Sequence, residues 1–260
     1  MGCGCFLLYF CPVELPMNLV IDIGNTFAKA AVFEGVTLTD SVHCRRPDTA
    51  ALADFVRHYR PSACAYSSVA TEASDVDMLL SRLACPVLHV GGTTPVPFRI
   101  AYRTPLMLGS DRVAAVAGAL CLFPGRDVLV IDAGTCITFD LLTADGVYEG
   151  GNISPGPSMR LAAMHEATAR LPLVGQEGEC PPLGYDTETA LRSGVLRGIG
   201  FEIAGYADEI RRSRPSLLTL LTGGKSGLLL PHIPDSVKPE AVPHLVEYGL
   251  NHILNHHQQL

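Results

Sequence analysis

One seven-residue pattern occurs twice in this chain, as "VIDIGNT" at residues 20–26 and as "VIDAGTC" at residues 130–136. In each, a β-branched run ends in Asp, one further residue and Gly. Runs of Val and Ile suit a strand covered on both faces, whereas Gly followed by Asn or Thr suits a tight turn out of it. A second strand-like run follows each turn, "KAAVFEG" and "CITFDLLTADG", so both stretches read as hairpins, turning at residues 24–26 and 134–135. At an offset of 110 residues, Val20, Ile21, Asp22 and Gly24 fall on Val130, Ile131, Asp132 and Gly134. This predicts duplicated halves with a cleft between them.

Helical stretches follow each hairpin. "GSDRVAAVAGALCLF" opens on a Ser/Asp cap and is rich in small residues. "PGPSMRLAAMHEATARLP" starts after a Pro/Gly turn and stops at Pro172. "DTETALRSGVLRGIGFEIAGYADEIRR" carries Gly194 and Gly198 one turn apart, a spacing that allows close helix contact. In "AVPHLVEYGLNHILNH" the apolar or small positions 242, 245, 246, 249, 250, 253 and 254 give an amphipathic helix. Strand pair, helices, strand pair, helices is an α/β order. The expected division is a tail at residues 1–16, a first half at 17–124 and a second at 125–260, meeting near Pro124 and Gly125.

The chain is long enough, at 260 residues, to bury a large core, and 48% hydrophobic with 17% charged residues describes a folded, soluble protein. A net charge of −7 with no Lys/Arg run argues against nucleic acid or an anionic membrane as partner. The opening "MGCGCFLLYFCPVELP" has no basic residue, contains Glu14 and is too short to span a bilayer. It reads as a tail ahead of Met17, with a lipid or metal attachment as the alternative. The nine cysteines are scattered with no C-x-x-C, which points to a reducing, cytoplasmic compartment.

One Asp beside a Gly turn commonly caps its own backbone. Two equivalent turns facing across a cleft ask for more. Gly-Asn-Thr and Gly-Thr expose backbone N–H groups and a hydroxyl, good donors for phosphate oxygens. A carboxylate beside polyphosphate is repelled by up to ~4 kcal/mol per pair of unit charges, so the pairing makes sense with a cation between them. The expected site is therefore metal–nucleotide, and Lys29 could add a point charge. A P-loop does not account for it, because the first Gly of the pattern that would end in the Gly-Lys-Ser of "TGGKSG" falls on Thr219. A Rossmann glycine pattern is missing as well.

"DIGNT", "LGSDR", "DAGTCIT", "GGNISPG" and "TGG", in that order, resemble the type III pantothenate kinases of the actin/Hsp70/sugar-kinase superfamily. "LGSDR" between the two phosphate turns is the discriminating element, and the resemblance runs from Met17 to the end. It implies two actin-like (ribonuclease H-like) halves and an ATP cleft. By the family's pattern Asp22, Ile23, Gly24, Asn25, Thr26, Phe27, Ala28 and Lys29 form the first ATP-phosphate loop, and Thr135 contacts ATP. Gly109, Ser110, Asp111 and Arg112 bind pantothenate, with Asp111 as catalytic base. Asp132 holds a monovalent cation, K⁺ or NH₄⁺. Tyr102 and Thr187 line the pantothenate pocket, and Gly223 and Gly224 resemble the adenosine-side turn. Cys136 departs from the pattern, where Ala is commoner. The family is homodimeric.

The implied reaction phosphorylates pantothenate from ATP and Mg²⁺, the first step of coenzyme A biosynthesis, with Arg112 orienting the substrate or balancing charge. Without its context, Ser110–Asp111 would read as a helix N-cap. Alternatives are another small-molecule kinase or phosphatase of the superfamily, or a non-catalytic transcription accessory regulator. His252 and His256, four apart, have the spacing of half a metal site but read as polar-face residues. "RRPD" at residues 45–48 reads as a solvated turn, and "CPPLGYD" at 180–186 as a loop over the pocket.

Overall fold

A computed structural model describes residues 16–45, 50–68 and 78–260. The tail, apart from Pro16, and most of "RRPD" lie outside the described residues. The first hairpin pairs β1 (Met17–Ile23) with β2 (Phe27–Glu34), and the chain turns again into β3 (Thr37–Arg45). Helix α1 (Ala50–His58) then crosses over to β4 (Ala63–Ser68), parallel to β1, with the short β5 (Val87–His89) beyond it. The crossover is needed because parallel strands cannot be joined by a tight turn. The sheet order is β3-β2-β1-β4-β5, and Leu19, Val20 and Ile21 of the central β1 are wholly buried.

After β6 (Arg99–Ile100) and α2 (Ser110–Leu122), the second hairpin gives β7 (Val128–Ala133) and β8 (Cys136–Leu142), followed by β9 (Val147–Pro155). Helices α3 (Pro157–Glu166) and α4 (Thr187–Arg211) carry the chain to β10 (Leu218–Thr222), parallel to β7. The short α5 (Ser226–Leu229), β11 (Glu240–Ala241) and α6 (Leu245–His257) complete it. The second sheet runs β11-β10-β7-β8-β9-β6. Apart from β6 at its edge, it repeats the first sheet strand for strand, with the same parallel and antiparallel senses. The duplication suggested by two short motifs is thus a duplication of whole sheets.

Helices α2 and α6 pack between the sheets. One core joins Val20, Phe33 and Ala65 of the first sheet, Val113 and Val116 of α2, Leu250 and Ile253 of α6, and Val130 and Leu220 of the second. The last helix therefore crosses back over the first sheet. The two helices touch through glycine: a Cβ on Gly249 would stand 1.7 Å from the Ala114 carbonyl oxygen, and one on Gly118 2.1 Å from that of Leu245. The close contact expected at Gly194 and Gly198 does not occur within the chain, since a Cβ at either meets nothing within 4 Å. A second core, under α4, gathers Leu129, Ile131, Phe139, Leu196, Ile199 and Leu221.

Candidate active site

Both Asp-bearing turns close in the same way. Gly24 N donates to Phe27 O at 2.9 Å and Gly134 N to Cys136 O at 2.9 Å, the second turn being one residue shorter. They face each other: the Thr26 and Thr135 hydroxyl oxygens are 3.4 Å apart. Two motif glycines hold the second turn close. Gly156, at the end of "GGNISPG", donates its N–H to Thr135 O at 3.0 Å, and a Cβ there would lie 2.4 Å from that oxygen. Gly223 of "TGG" has φ +90°, and a Cβ on it would stand 2.2 Å from Asp132 Oδ1. Each position is open to glycine for want of space, and Gly223 for its backbone as well.

The two acids lie behind these turns. Asp22 accepts from Ser67 Oγ at 2.8 Å, across the β1–β4 pairing that sets the two residues side by side. Lys29 stands opposite Asp22 on β2. Both aspartates are half-buried, with part of each side chain still reaching solvent. Lost hydration, together with Glu247 and Asp111 and against the pull of Lys29, pushes Asp22 up to about 6. Lost hydration pushes Asp132 up to about 7, again against Lys29 and with Asp111, Asp22 and Glu247 adding repulsion. More negative charge therefore converges here than the protein's own lysine offsets. Two such carboxylates fit an oxygen-coordinated cation, since Mg²⁺ is held in phosphate-transfer sites by one or two carboxylates plus phosphate oxygens.

Asp111 sits in the first turn of α2, and its Oδ1 accepts from Arg112 N at 2.8 Å. The helix cap is Gly109, with no side chain capping it, so neither Ser110 nor Asp111 serves as N-cap. Ser110 Oγ is buried with no hydrogen-bond partner among the described residues. A Cβ on Gly109 would press to 2.5 Å from Asp111 Oδ1, so the glycine leaves room for the carboxylate.

Arg112 is turned into the protein. Its Nε and Nη2 donate to Asp140 Oδ1 at 2.9 and 2.6 Å, and Tyr148 Oη donates to the same oxygen at 2.7 Å. Arg112 is 5% exposed and Asp140 0%. Burial raises the Asp140 carboxyl above its usual range, opposed by Arg112 and Tyr148. Tyr102 covers this pair, its ring centre 5.8 Å from the guanidinium carbon. Thr187 opens α4, whose cap is Asp186, and is exposed; none of the contacts just described includes it.

Four participants escaped the sequence reading. Ser67 lies on β4, which carries no motif. Asp140 and Tyr148 were hidden in strand-like runs, although an acid within "TFDLL" is a detectable signal. Glu247 comes from α6: its carboxylate is 2% exposed, 3.9 Å from Lys29 Nζ and 3.7 Å from His244 Nδ1. Among the described residues no group of three or more His, Cys, Asp or Glu is arranged to hold an ion, at His252 and His256 or elsewhere. A cavity of 260 Å³ lined by Leu129, Phe139, Gly151 and Tyr206 lies under α4, and none of the groups just named is among its lining residues.

A family model described as type III pantothenate kinase matches residues 18–209. A type III pantothenate kinase of Bacteroides fragilis is 43% identical over 240 residues, covering 92% of this chain and 98% of that protein. Among solved structures, a Campylobacter jejuni protein described as a conserved Baf family transcriptional activator has a TM-score of 0.61 at 21% identity, covering 93% of this chain and 100% of its own. A Listeria monocytogenes protein described as an N-acetylmannosamine kinase has a TM-score of 0.54 at 12% identity, covering 93% and 99%. These two show the fold, the actin-like fold of the sugar kinases, while the sequence matches carry the family. This chain belongs to the type III pantothenate kinases, ATP-dependent phosphotransferases that act on pantothenate.

Proposed function

We propose that the facing turns receive the phosphates of ATP and that Asp111 is the base that activates pantothenate. The family's reaction moves the γ-phosphoryl group of ATP to the primary hydroxyl of pantothenate and opens coenzyme A biosynthesis. The observation that carries the assignment of roles is the 3.4 Å approach of Thr26 to Thr135, with the Asp22, Asp111 and Asp132 carboxylates converging behind it. Residues 22–29 and Thr135 donate N–H and hydroxyl groups to phosphate oxygens, and Lys29 adds positive charge. Asp111 takes the hydroxyl proton as the oxygen attacks the γ-phosphorus and ADP leaves. Mg²⁺, when bound, neutralises phosphate charge, with Asp22 nearest the first turn. Asp132 is the ligand for K⁺ or NH₄⁺, and Gly223 and Gly224 border the adenosine. Pantothenate lies against Gly109, Ser110, Tyr102 and Thr187. Arg112, locked onto Asp140, ties the start of α2 to β8 and so fixes Asp111 beside it, rather than acting as a mobile clamp.

The domain reading is two halves, residues 17–124 and 125–260, with α6 returning to the first. No helix among the described residues is long and apolar enough to cross a membrane, and we place the enzyme in the cytoplasm without membrane or nucleic-acid partners. A homodimer is supported by Ile153, Met159 and Phe201, exposed at 63, 42 and 62%. Each precedes in sequence one member of the cluster in which Arg160 bonds both Ser154 and Glu202. Gly194 and Gly198 lie open on the same helix as Phe201.

Asp111→Asn tests the base. The expected result is a kcat lower by roughly 10²–10⁴, the range for a lost general base, with a melting temperature no lower than that of the wild type. Near wild-type turnover removes Asp111 from that role.

A further inference from the structure

We propose that Glu247, on the last helix, is a positioning residue that holds the Lys29 ammonium at the first phosphate turn. This rests on the kinase reading above and adds a residue that no motif marks. Lys29 has a long flexible stem and a point charge, and the acids around it draw it in several directions. Glu247, Asp22 and Asp132 all favour its charged form, holding it above the ordinary lysine range although burial works the other way. Glu247 approaches Nζ to 3.9 Å from α6. It thereby gives the ammonium a fixed partner on α6, so that Asp22 and Asp132 are left to face a cation.

A simple docking role for Glu247 explains less. Helix α6 already docks on the first sheet through neutral amides one and two turns on. Asn18 Nδ2 donates to Asn251 Oδ1 at 2.8 Å and to Asn255 Oδ1 at 2.7 Å, and Asn251 Nδ2 donates to Gly35 O at 2.9 Å. These contacts need no charge. A carboxylate only 2% exposed in this place is therefore not needed to hold the helix down. A buried charge is unfavourable unless paired, and here its pair is the lysine of the phosphate turn, backed by His244 at 3.7 Å. The final helix thus reaches into the site from a position 218 residues beyond Lys29 in the chain.

The test is steady-state kinetics of the full chain, varying ATP and pantothenate separately, for wild type, Glu247→Gln, Lys29→Met and the double variant. Glu247→Gln is expected to lower kcat/KM for ATP by about 10–100-fold, the scale of a misplaced charged group, and to leave KM for pantothenate unchanged. In the Lys29→Met background it should remove no more than about a further twofold, since both changes break one interaction. Asn251→Ala, which loosens the same helix, should lower Tm and leave the ATP parameters alone. Glu247→Asp, one methylene shorter, is expected to lose less than Gln and keeps the test open should the Gln variant not fold. Multiplicative losses in the double variant, or wild-type ATP kinetics in Glu247→Gln, would overturn the proposal. A wild type without pantothenate-dependent turnover would instead overturn the kinase reading.

Discussion

Replacing Asp132 by Asn should make the ligand-free protein more stable while removing its activity. Asp132 begins from an ordinary value of 3.8 and is pushed up to about 7. At about 1.4 kcal/mol per pH unit, that displacement corresponds to roughly 4 kcal/mol once the pH exceeds both values. Because the side chain still reaches solvent, we discount this to roughly 2–3 kcal/mol. The sign follows from a raised folded-state pKa on an acid. The folded chain keeps this proton between about 4 and 7 while the unfolded chain has lost it. The penalty is thus absent below about pH 4, grows through that window and is complete above about 7. Asn cannot ionise and never incurs it. At about 2–4 °C per kcal/mol for a chain of this size, Asp132→Asn should melt roughly 5 °C or more above wild type at pH 8. The gap should shrink by about half at pH 5. The assay is a thermal melt across pH in a buffer whose only cation is bulky, such as tetramethylammonium. Adding K⁺ with Mg²⁺ and ATP should raise the wild-type Tm and narrow the gap. A variant that melts below wild type at every pH, or by a pH-independent margin, would refute the reasoning.

The remaining predictions concern packing. Gly249→Ala forces a Cβ against the Ala114 carbonyl and should cost about 1–3 kcal/mol by overpacking, whereas Gly205→Ala, where a Cβ meets nothing within 4 Å, should be neutral or raise Tm through helix propensity. Equal melts would mean that α2 and α6 do not pack as closely as described. Asp140→Ala leaves Arg112 buried and unpaired, so it should lower stability by about 3–5 kcal/mol. A loss under about 1 kcal/mol, as for a surface pair, would place Arg112 in solvent instead.

Much of the fold was legible because its central strands are buried on both faces. "NLVIDIG" and "DVLVIDAG" are apolar nearly throughout, and no half-exposed strand would be. The edge strands carry less. β3 reads "TLTDSVHCR" and is largely exposed, so nothing in its pattern marks a buried face. The two Asp-bearing turns were visible since tight turns need particular residues, and glycines in "GGNISPG" and "TGG" proved to be clearances for Asp132 and Thr135. Long-range charge was not visible. Glu247 lies at the margin of the apolar stripe of α6, and its burial depends on that helix crossing to the other sheet. Arg112 was expected to face substrate; its partner Asp140 comes from β8, which the spacing of "LGSDR" does not reveal. Gly194 and Gly198 have the spacing of a helix contact, yet the glycines that make one within the chain are Gly118 and Gly249.

The central claim is that paired Asp turns in duplicated halves hold ATP for transfer to pantothenate. Its most direct test is ADP release by the purified chain with ATP and Mg²⁺, with and without pantothenate, in K⁺ and then in Na⁺. The account predicts ADP that depends on pantothenate and forms faster in K⁺ than in Na⁺. ADP formed equally without pantothenate, or none in either cation, would contradict it.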